Sequence, residues 1–132
     1  MNRRQFFRNC ASLLGLCIAP QAIRSAAAAP TRRIELQRSP LAGFQHHQGE
    51  QVWSYLQVGA QLQLIREPDN IHDARAVRVD WQGQKLGYVP RHDNAALSQL
   101  LDRGQALTAA ISTLKSAHNP WDRIEFVVWL EN

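Results

Sequence analysis

The segment of residues 66–73 holds side chains whose types and spacing could support ligand chemistry. Residues 68–70 are Pro-Asp-Asn, which is typical of a tight turn, because proline fixes one torsion and the other two side chains bond back to turn amides. His72 and Asp73 are not needed by such a turn, and together they offer an aromatic ring beside a strong hydrogen-bond acceptor. This pair suits a ligand that presents a sugar hydroxyl next to a stacked base.

Other catalytic patterns are absent from the sequence. No Gly-Lys-Ser or Gly-Lys-Thr element follows a glycine-rich loop, so no phosphate-binding loop is predicted. The serines have no nucleophile-elbow context, and no spacing pairs a nucleophile with a base. We therefore predict a protein without enzymatic activity of its own.

Strands on both sides of this segment must position it. Residues 60–66 and 76–81 alternate apolar and polar side chains, as half-buried strands do. Residues 82–84 form a short connection that predicts a hairpin to a returning strand over residues 85–90. The segment is therefore expected to be the loop between two paired strands.

The rest of the chain adds three strands and one main helix. The helix is predicted over residues 94–103, where Asp93 or Asn94 can cap its start and three leucines share one face. The further strands are predicted at residues 34–37, after which Pro40 interrupts, at residues 107–114 and at residues 124–130. This pattern predicts a mostly β (α+β) fold, a small six-stranded barrel with one main helix.

The basic excess of the chain lies at its N-terminus. The chain has 132 residues and a formal net charge of +4. Its first 28 residues contain four arginines and no acidic residue, which leaves 11 basic and 11 acidic residues in the remainder. A formally neutral remainder provides no general electrostatic argument for DNA binding.

Residues 1–28 are predicted to be a cleaved signal peptide of the twin-arginine type. Arg3 and Arg4 precede an aromatic pair and a further base, which matches the twin-arginine pattern. The apolar stretch at residues 11–19 is too short to span a membrane as a helix, and cleavage after Ala28 satisfies the small-x-small rule. An ordinary secretory signal is the alternative. We expect a periplasmic or secreted protein, exported folded and without stable membrane insertion.

Cleavage would leave a leader over residues 29–35 and a barrel domain over residues 36–132. Cys10 and Cys17 both lie in the predicted signal. The mature chain therefore has no disulfide and no thiolate chemistry.

Two stretches of the sequence resemble the signatures of the HIRAN domain family. Residues 66–79, which read REPDNIHDARAVRV, are similar to its central signature, and residues 83–91, GQKLGYVPR, to its second signature. Gly43 and the His-His-x-Gly element at residues 46–49 fit its first strand and loop, so the resemblance covers about residues 36–130. It implies a modified, OB-like oligonucleotide-binding barrel and a non-enzymatic module that captures the free 3′ hydroxyl end of single-stranded DNA.

The resemblance also implies a pocket for that DNA end, with binding residues Gln45, His46, His72, Asp73, Tyr88 and Arg91. His72 would stack under the terminal base, Asp73 would accept a hydrogen bond from the 3′ hydroxyl, and Arg91 could meet a phosphate. Gln45 and His46 stand where the family has a basic residue and an aromatic residue, so one cation is missing. Because few phosphates would be neutralised, we expect weak binding.

The barrel that the resemblance implies also allows a metal site. Three imidazoles and a carboxylate, from His46, His47, His72 and Asp73, are a plausible ligand set for zinc or copper, although no motif fixes their spacing. A periplasmic metal-binding or small-ligand protein is thus the alternative function, and an interaction domain for a partner protein is a third. Apart from zinc or copper, no cofactor is expected. Trp121, in the last turn, could either face a ligand at the barrel mouth or pack.

Overall fold

Six strands and one main α-helix make up residues 32–132, the part of the chain that the computed structural model describes. The predicted signal peptide and the first residues of the predicted leader lie outside the described residues. The strands are β1 (Arg33–Pro40), β2 (Gln61–Glu67), β3 (Ala76–Trp81), β4 (Gln84–Tyr88), β5 (Leu107–Leu114) and β6 (Ile124–Glu131). The helices are the short α1 (Gly49–Val52) and the main α2 (Ala95–Asp102), with 3₁₀ turns at Phe44–His46, Trp53–Tyr55, Arg91–Asp93 and Pro120–Asp122.

The strands form one antiparallel sheet in the order β1-β6-β5-β2-β3-β4. The predicted six strands, main helix and OB-like fold are confirmed, whereas the sheet is open and does not close into a barrel. Its two ends approach each other at one isolated bridge, where Ala42, just after β1, exchanges two 2.9 Å main-chain hydrogen bonds with Tyr88 at the end of β4. This bridge brings the loop after β1 next to the loop after β2.

Alternating apolar side chains of the strands build the core. Val77 and Val79 of β3 and Phe126 and Val128 of β6 are fully shielded from solvent, as a period of two on one face of a sheet requires. Leu97 of α2 is also fully buried, so the helix packs its leucine face on the same core. Within residues 32–132, no helix is long and apolar enough to cross a membrane.

Strand β1 is longer than the sequence pattern indicates. It starts at Arg33, so residues 33–35 of the predicted leader pair with β6, and it includes Pro40 as its last residue. Proline is tolerated there because β1 is an edge strand, so no further strand on its open side needs an N–H donor from residue 40. A register shift between Glu35 and Gln37 marks a bulge at the residue between them.

Gly87, from the second signature, is required by a close approach of two main chains. A Cβ atom at this position would collide with the carbonyl oxygen of Ala42 across the isolated bridge. The absence of a side chain therefore lets β4 approach the segment after β1, and this contact positions the neighbouring Tyr88.

Candidate functional site

A cavity of about 540 Å³ opens where the loop after β1, the β2–β3 loop and the end of β4 meet. Five of the six predicted nucleic-acid-binding residues and all four predicted metal-binding residues line it, namely His46, His47, His72, Asp73, Tyr88 and Arg91. Gln45 does not line the cavity; it is exposed, and its amide nitrogen lies 3.2 Å from His46 Nε2. We call this the histidine cavity.

Asn70 organises the β2–β3 loop on one side of the histidine cavity. Its side-chain Oδ1 accepts hydrogen bonds from the main-chain N–H groups of His72 (2.9 Å) and Asp73 (3.3 Å). Its Nδ2 donates to Glu67 Oε1 at 3.1 Å, which ties the loop to the end of β2. The turn chemistry expected for Asn70 is present, and this residue also lines the cavity.

Asp73 is an ionised carboxylate held from several sides. Its Oδ2 accepts a 2.7 Å hydrogen bond from the Asn94 side chain, and its Oδ1 accepts one from the Arg75 main chain at 3.0 Å. Burial by itself would raise the pKa of Asp73, but these hydrogen bonds, together with the nearby charges of Arg91 and Arg75, outweigh it and lower the pKa. Arg91 Nε lies 3.8 Å from Oδ2.

Asn94 has a different role from the one its sequence position indicates. It occupies the N-cap position of α2 but makes no side-chain capping bond; its amide donates instead to Asp73, 21 positions earlier in the chain. The residue is fully buried, and its Oδ1 has no hydrogen-bond partner within residues 32–132. Asn94 is therefore part of the support of the site, which helix-capping rules did not reveal.

Tyr88 and Glu67 form a second support. The Tyr88 hydroxyl donates to Glu67 Oε1 at 2.8 Å, and Arg78 Nη1 donates to Glu67 Oε2 at 3.2 Å. Burial would raise the pKa of Glu67, but the hydrogen bonds from Tyr88 and Asn70 and the charges of Lys85 and Arg78 lower it. The hydroxyl of Tyr88 is thus occupied, whereas its ring remains a wall of the cavity.

The loop that carries the adjacent histidines is joined to β4. Gln48 donates its main-chain N–H to the Lys85 carbonyl at 3.0 Å and accepts the Lys85 N–H on its side-chain oxygen at 2.8 Å. The His47 ring meets the Tyr88 ring edge to face, with centroids 5.7 Å apart. Burial and the charges of Lys85 and His46 lower the pKa of His47.

Lys85 lines the histidine cavity although simple strand alternation would separate it from Tyr88. The register of β4 on β3 shifts between Asp80 and Val79, so Leu86 is an extra residue on β4. This bulge places Lys85 Nζ 4.5 Å from the centroid of the Tyr88 ring. The cavity thus contains a cation that the predicted site lacked.

Arg91 and Trp121 complete the rim. Arg91 donates from Nη2 to the His72 carbonyl, yet 66% of its side chain is exposed, so the guanidinium retains free donors. Trp121 lines the cavity with 42% of its surface exposed, and its N–H donates to Asn119 Oδ1 at 3.1 Å. Of the two possibilities left open by the sequence, a partly exposed position at the cavity fits a ligand-facing residue better than a fully packed one.

The shared cavity does not contain a preformed metal site. Within residues 32–132, no three His, Asp or Glu side chains form a group that could hold a metal ion. The residues proposed for zinc or copper therefore share a cavity without a metal-binding arrangement.

Comparisons with known proteins agree with this architecture. The family model of the HIRAN domain matches residues 34–132 of this chain. This chain is a member of the HIRAN domain family. HIRAN domains are nucleic-acid-binding modules, so the histidine cavity belongs to a binding domain.

Solved structures share the fold of this HIRAN domain. It is similar to a crystal structure of a protein from Lactobacillus plantarum, with a TM-score of 0.67 and 26% identity over 78% of this chain and 99% of that one. It is also similar to the HIRAN domain of human HLTF, with a TM-score of 0.56 and 14% identity over 75% of this chain and 78% of that one. The latter identity supports the fold alone.

One curated relative is a large protein. Over 52 residues, the chain is 44% identical to a Fanconi-associated nuclease 1 homolog from Oryza sativa subsp. japonica. The match includes 36% of this chain but spans only 5% of the length of that protein.

Proposed function

We propose that this HIRAN domain binds the 3′ end of single-stranded DNA in the histidine cavity and performs no catalysis itself. The observation that carries the proposal is the Asp73 carboxylate, which Asn94 and the Arg75 main chain hold in place beside the exposed His72. A fixed, ionised carboxylate can accept a hydrogen bond from a terminal hydroxyl, and it repels a terminal phosphate.

The aromatic residues supply contact to the bases. His72 is exposed next to Asp73, so its ring can stack on the terminal base, and Trp121 provides a second exposed ring at the rim. Stacking of a base on an aromatic side chain contributes about 1–3 kcal/mol and tolerates any base sequence. We therefore expect recognition of a strand end with little dependence on sequence.

The small number of cations at the cavity limits the strength of DNA binding. Lys85 and Arg91 are the basic residues among the described residues that line the cavity. Each neutralised phosphate of a single strand changes the logarithm of affinity by about 0.7 per tenfold change in salt. Binding that relies on two such contacts is weak and depends only shallowly on salt.

The test compares oligodeoxynucleotides that end in a 3′ hydroxyl or a 3′ phosphate, using fluorescence anisotropy. The hydroxyl end should bind more tightly, because charge repulsion at about 4 Å is worth ~1 kcal/mol in water and more where water is excluded. Asp73→Asn should abolish this preference, whereas Asp69→Asn, on the same loop but outside the cavity, should retain it. Equal affinity of the original protein for both ends would refute end capture.

We also propose that residues 1–28 direct export and are then removed. Mass spectrometry of a periplasmic fraction should find Ala29 as the first residue. Replacement of Arg3 and Arg4 by lysine should retain the protein in the cytoplasm if the twin-arginine route is used. An intact chain in the cytoplasm of cells with a functional export system would contradict the proposal.

A further inference from the structure

A second groove lies at the beginning of β2, whereas the histidine cavity lies beyond its end. Two adjoining cavities of about 450 and 580 Å³ share Gly59, Gln61 and Gln63. Strand β2 has seven residues, so its two ends are roughly 20 Å apart at about 3.3 Å per residue. The groove is therefore separate from the DNA site proposed above. We call it the glutamine groove.

The glutamine groove exists because two neighbouring strands separate. Strands β2 and β5 pair only at Gln61–Ala110 and Leu62–Ala109. The next pair in this register, Gln63 with Thr108, does not form, and both residues line the opening. A wedge between two strands of one sheet leaves main-chain donors and acceptors available to a ligand.

The polar side chains of the groove are mostly uncommitted amides. Four glutamines line it, and within residues 32–132 none of them makes a side-chain hydrogen bond: Gln57, Gln61, Gln63 and Gln82. None of the described lining residues is acidic, and Arg33 is the one basic residue among them. Its guanidinium lies 4.1 Å from the centroid of the Trp129 ring.

Aromatic rings accompany the amides along the whole groove. Trp129 lies in the first cavity, and Tyr55 and Trp81 lie in the second. Tyr55 is 69% exposed, so its ring is available to a ligand. One face of the Trp129 ring is covered by Arg33, and Trp81 packs partly against the core. The groove therefore combines the exposed Tyr55 ring with amides that both donate and accept hydrogen bonds.

Gln82 is placed in the groove at the expense of backbone strain. Gln82 and Gly83 form the β3–β4 hairpin turn, and both have positive φ angles, 46° and 78°. The first position of such a turn favours Asn, Asp or Gly, because a longer side chain is unfavourable in the left-handed region. A glutamine there, lining the groove, is consistent with a binding role for its amide.

We propose that the glutamine groove binds a neutral oligosaccharide. Amide groups match the mixed donor and acceptor capacity of vicinal hydroxyls, and aromatic faces match the C–H faces of pyranose rings. A nucleic acid would require several cations along its backbone, and among the described residues the groove offers only Arg33, which is stacked on Trp129. The mixed amide and aromatic lining likewise disfavours a lipid chain.

The experiment titrates the full-length chain with chitohexaose, cellohexaose and maltohexaose by isothermal calorimetry and intrinsic tryptophan fluorescence. At least one should bind with a Kd of about 1 mM or tighter. The double variant Gln61→Ala/Gln63→Ala should weaken that binding about tenfold or more. The single variant Tyr55→Ala, made separately, should weaken it by a similar factor. The matched control is Gln105→Ala, an exposed glutamine outside the groove, which should bind as the original protein does.

The outcomes separate this proposal from the DNA proposal. His72→Ala should leave oligosaccharide binding unchanged, and the groove variants should leave DNA-end binding unchanged. The absence of binding to all three sugars overturns the proposal, as does displacement of the bound sugar by oligothymidylate. Unaltered sugar affinity in both groove variants, with circular dichroism showing native folding, also overturns it.

Discussion

The histidine cavity and the glutamine groove lie near opposite ends of β2 and differ in how their polar groups are held. In the cavity, Asp73 accepts hydrogen bonds from Asn94 and the Arg75 main chain, and Tyr88 donates its hydroxyl to Glu67, which lies next to the cavity. In the groove, the glutamine amides make no such bonds within the described part of the chain. The cavity is thus built for a charged, directional contact, and the groove for many adaptable ones.

This difference has a consequence for stability. Removing a buried partner of a charged group leaves that charge uncompensated, whereas removing an exposed amide removes only solvated surface. Substitutions in the cavity should therefore affect folding and binding together, and substitutions in the groove should affect binding alone.

The largest expected effect is that of Asn94→Leu. Asn94 is fully buried and donates to Asp73 at 2.7 Å, so its loss leaves a largely buried carboxylate without that donor. We expect a loss of about 1.5–3 kcal/mol in the free energy of unfolding, measured by urea denaturation at neutral pH. The matched variant Gln63→Leu in the groove should change stability by about 0.5 kcal/mol or less. Similar losses in both variants would remove the distinction between the two regions.

The next effect is on DNA affinity. His72→Ala should weaken binding of oligodeoxynucleotides by about 1–3 kcal/mol, because a stacking surface is lost. The hydroxyl and phosphate ends should weaken alike, since stacking does not sense the terminal group. His118→Ala is the control, because His118 is exposed and does not line the cavity. Anisotropy titrations measure the DNA affinity of both variants. An equal effect of the two substitutions would argue against stacking by His72.

Acid should lower the free energy of unfolding through ionisable groups at the histidine cavity, whereas the described lining of the glutamine groove contains no acidic residue. The pKa values of Asp73 and Glu67 are lowered in the folded state, so their stabilising effect is complete above the ordinary carboxyl pKa and is lost as pH falls through the lowered values. The pKa of His47 is also lowered, so protonation of this residue opposes folding below about pH 6.5. Urea denaturation between neutral and acidic pH should show falling stability. Asp73→Asn should make that decline shallower, and an unchanged slope would contradict the assignment.

The smallest effect concerns salt. Arg91→Ala should reduce the salt dependence of DNA binding by a slope of about 0.7, the contribution of one phosphate. Arg33→Ala, in the groove, should leave the slope unchanged because its guanidinium lies outside the histidine cavity. Affinities measured over a range of sodium chloride concentrations give both slopes. A loss of slope in the Arg33 variant would instead indicate that DNA reaches the groove.

Local patterns in the sequence were sufficient for most of the fold. The alternation at residues 76–81 and the leucine spacing near Leu97 are confirmed as β3 and α2, because both depend on contacts with one core. Half of the residues that line the histidine cavity were also predicted from the sequence, four of them from the two short signatures and His46 and His47 from the element at residues 46–49. The sequence thereby determined the strands, the main helix, the family and the loop that carries His72 and Asp73.

Contacts between distant parts of the chain decided the rest. Asn94 supports Asp73 from 21 positions away, and a bulge at Leu86 brings Lys85 to the ring of Tyr88. The separation of β2 from β5, which opens the glutamine groove, likewise depends on pairing between strands far apart in sequence. Sequence periodicity predicts which face of one element is apolar, but it does not predict strand register, bulges or the distance between strands. These features therefore exist only in the tertiary structure, where each strand is constrained by its neighbours.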